Sequence, residues 1–209
     1  MTPSPGSIEL RQRSARAVSV ARRTGETEVE VRLDLDGSGQ ASVATGVGFY
    51  DHLLASLAHH ALFDLELRAT GDLAVDAHHT VEDVALVLGA ALAEALGGRA
   101  GITRLGDAAV PMDEALATAA VDVGGRPYAV VDLPFRGERI GALPTQLAEH
   151  ALEVFARAAG ATVHLRATGR NDHHLAEAAF KALGRALRAA VAADPRRGAA
   201  PASTKGSLG

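Results

Sequence analysis

The 209-residue sequence predicts an α+β fold built by internal duplication: two homologous half-domains, each a mostly antiparallel sheet carrying two helices. Three observations predict it. The pentapeptide LRATG occurs twice, at Leu67–Gly71 and Leu165–Gly169. A histidine stands fifteen residues before the Leu of each copy, at His52 and His150. After each copy comes His-His-x-x-Glu: His78, His79 and Glu82, then His173, His174 and Glu177. Only the connector differs, six residues in the first copy and three in the second. Two copies at so long a period describe halves of one fold, not a solenoid.

The elements follow in chain order. Residues 1–15 read as a flexible N-terminal tail, because the Arg-bearing stretch through Arg23 has no continuous apolar run. The first half-domain spans 16–99. EVEVRLDLDGSG alternates Val29, Val31, Leu33 and Leu35 with charges before a Gly-rich turn, which predicts a strand and hairpin. YDHLLASLAHHAL is helical, with Asp51 as its cap. LFDLELRATG alternates as a strand, and an Ala/Leu helix runs from about His79 to Leu96, ending at Gly97-Gly98. The second half-domain, 100–194, repeats the order: strands near 102–111, 115–123 and 128–133, a helix near 145–159, a strand near 162–168, and a helix near 174–192 closed by Pro195. Residues 195–209 read as a C-terminal tail.

Composition narrows the function. A net charge of −4 gives no basic field for nucleic acid, and the absence of cysteine removes disulfides and thiolate metal sites. No apolar run is long enough to span a bilayer, so a cytoplasmic protein is the expectation.

The paired histidines point to metal. Adjacent helical residues project about 100° apart, so His78 and His79 aim at different places. Residues three or four apart share a face, so Glu82 can join either ring, and Glu177 can join His173 or His174. With His52 and His150 the set is six His and two Glu, enough for two ions with three nitrogens and one carboxylate each. The competing reading, rings that cap helices or bond within the core, suits a lone histidine better than two matched units. His59-His60 has no Glu at that offset and reads as a surface pair. The ligand chemistry suits Mn, Fe, Co, Ni or Zn.

Long stretches then resemble the imidazoleglycerol-phosphate dehydratase family: RTGET, GVGFYDHLL, ATGDLAVDAHHTVED, GITRLGDAAVPMDEAL, DVGGRPY, the run from Glu149 to Arg188, and STKG. The resemblance implies half-domains packed through their helical faces. It implies a homo-oligomeric 24-subunit shell with active sites between subunits, two Mn(II) per site, and a role in histidine biosynthesis. The reaction is loss of water from D-erythro-imidazole glycerol phosphate to give imidazole acetol phosphate, through a metal-bound imidazolate and a diazafulvene-like intermediate. By position the metal ligands are His52, His78, His79, Glu82, His150, His173, His174 and Glu177. The implied division is His78, His150, His173 and Glu177 around one ion, with His52, His79, Glu82 and His174 around the other.

Glu26 and Glu177 are the implied proton carriers, although Glu26 by itself reads as a solvated strand-end charge. Arg104, Arg126, Lys181, Ser203 and Lys205 are the implied phosphate ligands, with the C-terminal tail closing over substrate. Lys181, four residues after Glu177, shares that ligand's helix face. The chain departs from the family at Ala55 and Ser56, where Asp-Gln is usual, and at Ala77, where Asp is usual. Two other readings stand beside this one: a dinuclear hydrolase of phosphate esters, and a metal-storing shell protein.

Overall fold

The computed structural model describes residues 6–206 and 208. The first half contains β1 (Ile8–Ser14), β2 (Ala17–Arg23), β3 (Thr27–Asp34), β4 (Ala41–Ala44), α1 (Gly48–Ala61), β5 (Asp64–Gly71) and α2 (His78–Leu96). The second contains β6 (Leu105–Met112), β7 (Ala115–Asp122), β8 (Tyr128–Asp132), the two-residue strands β9 (Arg139–Ile140) and β10 (Leu143–Pro144), α3 (Thr145–Ala159), β11 (Thr162–Thr168) and α4 (Asp172–Val191).

The sheet orders show the duplication. The first sheet runs β1-β2-β3-β5-β4 and the second β6-β7-β11-β8. In each, the LRATG strand pairs antiparallel with the strand preceding it in the order and parallel with the one after it. The outer face of the first sheet is mostly charged, with Glu28, Glu30, Arg32, Glu66 and Arg68, whereas that of the second exposes Leu105, Leu116 and Tyr128 among polar residues. Inward-facing Val29, Val31 and Leu33 on β3, and Ala115, Ala117 and Ala119 on β7, are buried. Helices α1 and α2 cover the first sheet, α3 and α4 the second, and the halves meet helix on helix, α1 against α4 and α2 against α3. Tyr50, Ala85, Ala151 and Phe180, one from each helix, meet at the centre of a single apolar core.

Gly89 on α2 and Gly184 on α4 set the helix spacing. A Cβ at Gly89 would come within 2.6 Å of the Phe155 carbonyl oxygen on α3, and one at Gly184 within 2.5 Å of the Leu57 carbonyl oxygen on α1. Each lies ten residues after the second histidine of its helix, so the repeat extends to its packing. Gly184→Val is expected to cost roughly 1–3 kcal/mol through forced separation of α1 and α4, read as a lowered thermal unfolding midpoint.

Three local expectations are corrected. The N-terminal stretch is not a tail where it is described: β1 and β2 pair antiparallel from Ile8↔Arg22 to Ser14↔Ala17. All seven residues of β1 are exposed, so it carries no burial pattern to read. β3 does not form a hairpin with the next strand. Its edges are taken by β2 and β5, and β4 crosses beyond β5 to pair with it in parallel. The Asp64 carboxylate anchors that crossing by accepting the Ser38 and Gln40 N–H groups. Asp51 does not cap α1. It lies in the first turn and accepts the Thr45 N–H at 2.9 Å.

Candidate metal centre

The two helix pairs gather the predicted donors into two clusters, each drawing on both halves. His52 on α1 joins His173 and Glu177 on α4, and His150 on α3 joins His78 and Glu82 on α2. Donor atoms within each lie no more than 4.8 Å apart. In the first cluster Glu177 Oε1 is 2.9 Å from His52 Nε2 and 2.7 Å from His173 Nε2. In the second, Glu82 Oε2 is 3.8 Å from His78 Nε2, and its Oε1 is 3.5 Å from His150 Nε2.

Within one chain the donors group differently from the implied division around two ions. Glu177 belongs with His52 and His173, and Glu82 with His78 and His150. The i,i+4 spacing joins each Glu to the first histidine of its own pair, and α1–α4 and α2–α3 packing supplies the other ring.

The second histidine of each pair turns away. The rings of His78 and His79 are inclined at 80°, and those of His173 and His174 at 85°. His79 Nδ1 lies 3.0 Å from Asp72 Oδ2, and His174 Nδ1 lies 2.7 Å from Glu114 Oε2. The Asp72 hydrogen bond holds the His79 pKa above its ordinary value. Sequence reasoning missed both acids. Asp72 directly follows the first LRATG, and Glu114 lies in PMDEAL, but nothing in their spacing ties them to a helix that starts far along the chain.

The carboxylates differ in electrostatics. Glu177 is 7% exposed, and burial works to raise its pKa. Hydrogen bonds from Lys181, His52 and His173 outweigh that and hold it at about 2. Lys181 Nζ is 2.6 Å from Glu177 Oε2. Leu86, the residue four after Glu82, offers no such charge. Matching side chains brace the two helix starts: Asp76, one residue before the N-cap of α2, accepts the His78 N–H at 2.7 Å, and Asn171, the N-cap of α4, accepts the His173 N–H at 3.0 Å. Asp172, the counterpart of Ala77, accepts the Arg136 and Gly137 N–H groups, a role for which Ala77 has no side-chain acceptor.

Glu26 sits in the turn between β2 and β3, with Oε2 3.7 Å from His79 Nδ1. Thr24 Oγ1 accepts the N–H groups of Glu26 and Thr27, and Thr27 Oγ1 donates to buried Asp83, which also pairs with Arg22. The turn is thus tied to α2 one residue past Glu82.

Four of the five implied phosphate ligands share a pocket of about 320 Å³: Arg104, Arg126, Ser203 and Lys205. Arg104 adopts φ +73°, donates to both oxygens of Asp122 at 2.7 Å, and donates to the Ala202 carbonyl at 2.8 Å. The C-terminal stretch is held further by the Ala100–Pro201 bridge. Lys181 does not line this pocket; it stays with Glu177. A separate groove of about 490 Å³ crosses the outer face of the first sheet near Gln12, Arg32 and Glu66, and contains none of these donors.

Whether the clusters suit a cation is answered by their donors. His150 Nε2 is buried without a hydrogen-bond partner while facing a carboxylate oxygen at 3.5 Å, an arrangement that a divalent ion would satisfy. Fold and site together define a duplicated α+β enzyme with paired imidazole–carboxylate centres at the start of α2 and α4 and a basic pocket near the far end of α4.

A family model described as imidazoleglycerol-phosphate dehydratase matches residues 45–187. The imidazoleglycerol-phosphate dehydratase of Methanoculleus marisnigri is 57% identical over 193 residues, covering 92% of this chain and all of the relative. That of Acidiphilium cryptum is 53% identical, covering 93% of this chain and all of the relative. The crystal structure of the Pyrococcus furiosus enzyme superposes with a TM-score of 0.77 at 36% identity, covering 90% of this chain and 99% of the other. The chain belongs to the imidazoleglycerol-phosphate dehydratase family, hydro-lyases of histidine biosynthesis.

Proposed function

We propose that this chain dehydrates D-erythro-imidazole glycerol phosphate to imidazole acetol phosphate, as a manganese-dependent enzyme with two ions per active site. The observation that carries the reading is the pair of matched clusters, His52/His173/Glu177 and His78/Glu82/His150, in a member of this family. Manganese held there supplies Lewis acidity and a template for the substrate's imidazole ring.

The chain's own groups do the rest. Arg104, Arg126 and Lys205 supply cationic donors and Ser203 a hydroxyl for the phosphate. Asp122 and the Ala202 carbonyl fix the Arg104 fork. Lys181 keeps Glu177 ionised, which suits a ligand or a proton acceptor. Glu26, exposed on a turn braced through Thr27 and Asp83, exchanges the proton at the carbon beside the leaving hydroxyl. His79 and His174 face away from their own clusters. That supports active sites completed between subunits, and with it the 24-subunit shell. Among the described residues no helix is long and apolar enough to cross a membrane, and a cytoplasmic location is part of the same reading.

The test is incubation of Mn(II)-loaded protein with the substrate, following enol and ketone formation by ultraviolet absorbance with and without chelator. A chelator-sensitive ketone that retains its phosphate supports the reading. Released inorganic phosphate would favour the hydrolase, and many ions per chain without turnover would favour storage. Lys205→Ala is expected to raise KM about ten- to hundredfold with kcat little changed, the size of one charged hydrogen bond. An unaltered KM would count against its phosphate role.

A further inference from the structure

We infer that Asp72 and Glu114 are positioning residues for His79 and His174, and that Asp72 performs for the first half the task that would otherwise consume Glu26. The sheet registers establish the comparison. Val31 lies opposite Leu67 and Ala119 opposite Leu165, the first residues of the two LRATG copies. Counting back along β3 and β7 from Val31 and Ala119 brings Glu26 and Glu114 to matching positions, each one residue before its strand.

The two acids have diverged. Glu114 is fully committed: one oxygen faces His174 Nδ1 at 2.7 Å, and the other accepts the Arg170 and Asn171 N–H groups at 3.0 and 2.8 Å. Those donors are main-chain groups of the short connector after the second LRATG. In the first half the connector is longer, and its first residue, the counterpart of Arg170, is Asp72. Asp72 Oδ2 takes the His79 Nδ1 contact at 3.0 Å. Glu26 is left at 3.7 Å from that nitrogen, beyond hydrogen-bond reach, with its side chain 58% exposed.

A carboxylate on Nδ1 fixes the imidazole tautomer and leaves Nε2 as the ligand atom. One copy of the repeat spends its glutamate on that job. The other gives the job to Asp72, so that Glu26 stands beside the ring with its charge uncommitted. The inference rests on the proposed roles of His79 and His174 as metal ligands.

It is tested on the full chain by Mn(II) affinity in competition with a chromophoric chelator, beside kcat. Asp72→Ala and Glu114→Gln are each expected to weaken Mn(II) binding about 10–100-fold. Asp72→Glu should restore most of the first loss, which separates positioning from misfolding. Glu26→Gln should abolish turnover while leaving Mn(II) affinity unchanged in the wild-type background. In the Asp72→Ala background it should weaken Mn(II) binding further, because Glu26 then stands in for the missing acid. Wild-type affinity in Asp72→Ala, or equal affinity losses in Glu26→Gln and Asp72→Ala, would overturn the inference. His79→Ala is the control: if it also leaves Mn(II) affinity intact, the metal role of that ring fails with it, whereas a loss confined to His79→Ala defeats only the assignment of Asp72.

Discussion

Glu177→Gln is expected to lower kcat by at least about 10²–10³, the loss typical of removing one preorganised charge-stabilising group, and to release one of two bound metal ions. The substitution keeps the side chain's volume. It removes the charge that His52, His173 and Lys181 all face, and leaves Lys181 without its partner at 2.6 Å. Uncompensated, that ammonium costs roughly 3–5 kcal/mol where the pair is shielded from water. Glu177→Gln combined with Lys181→Met should recover stability without recovering turnover or metal content, which separates chemistry from folding. The pH dependence has a definite sign. Glu177 is held at about 2, below its ordinary 4.5, so its stabilisation in metal-free protein is complete above 4.5 and is lost as pH falls toward 2. The stability gap between wild type and Glu177→Gln should therefore narrow across that window in an acid titration followed by circular dichroism. A gap constant down to pH 2 would contradict it.

Asp83→Ala is expected to have the largest effect on stability. Asp83 is 9% exposed, holds the Arg22 guanidinium, and accepts the Thr27 hydroxyl. Removing it strands a largely buried cation and a buried hydroxyl, at about 3–5 kcal/mol. For a chain of this length that is a fall of on the order of 10 °C in the unfolding midpoint. The turn carrying Glu26 hangs from the same network, so kcat measured well below the new midpoint should fall while Mn(II) stoichiometry holds at its wild-type value. Ala178, the counterpart of Asp83 on α4, lies in a half whose matching strand begins with Ala115 where the first has Thr27, so no such brace is needed there.

Much of this was readable from side-chain order because the duplication writes each signal twice. α3 and β11 span the residues that the repeat predicts, and six of the eight donors assemble as two clusters because their spacing encodes helix faces, while His79 and His174 turn to Asp72 and Glu114. Pairing across the halves was not readable. Which Glu serves which ring depends on α1 meeting α4 and α2 meeting α3, a tertiary fact with no local pattern. β1 escaped because a strand exposed on both faces has no alternation to detect. The crossing of β4 beyond β5 escaped because a Gly-rich turn signals reversal of direction but not which neighbour the chain joins. Asp72 and Glu114 escaped because lone acids gain meaning only from the ring each one meets.

The exchange of helices between halves also bears on ancestry. Neither cluster can form from one repeat, since each takes a ring from α1 or α3 and a His-Glu unit from the other half's last helix. A single-repeat ancestor would have needed to associate as a symmetric homodimer to gather either donor set, and that symmetry would have made its two centres identical. Joining the genes turned an encounter between molecules into a tethered one, at an effective concentration no free monomer reaches. It also released each copy to mutate alone, and the two centres now differ, with Lys181 beside one and Leu86 at the matching place beside the other.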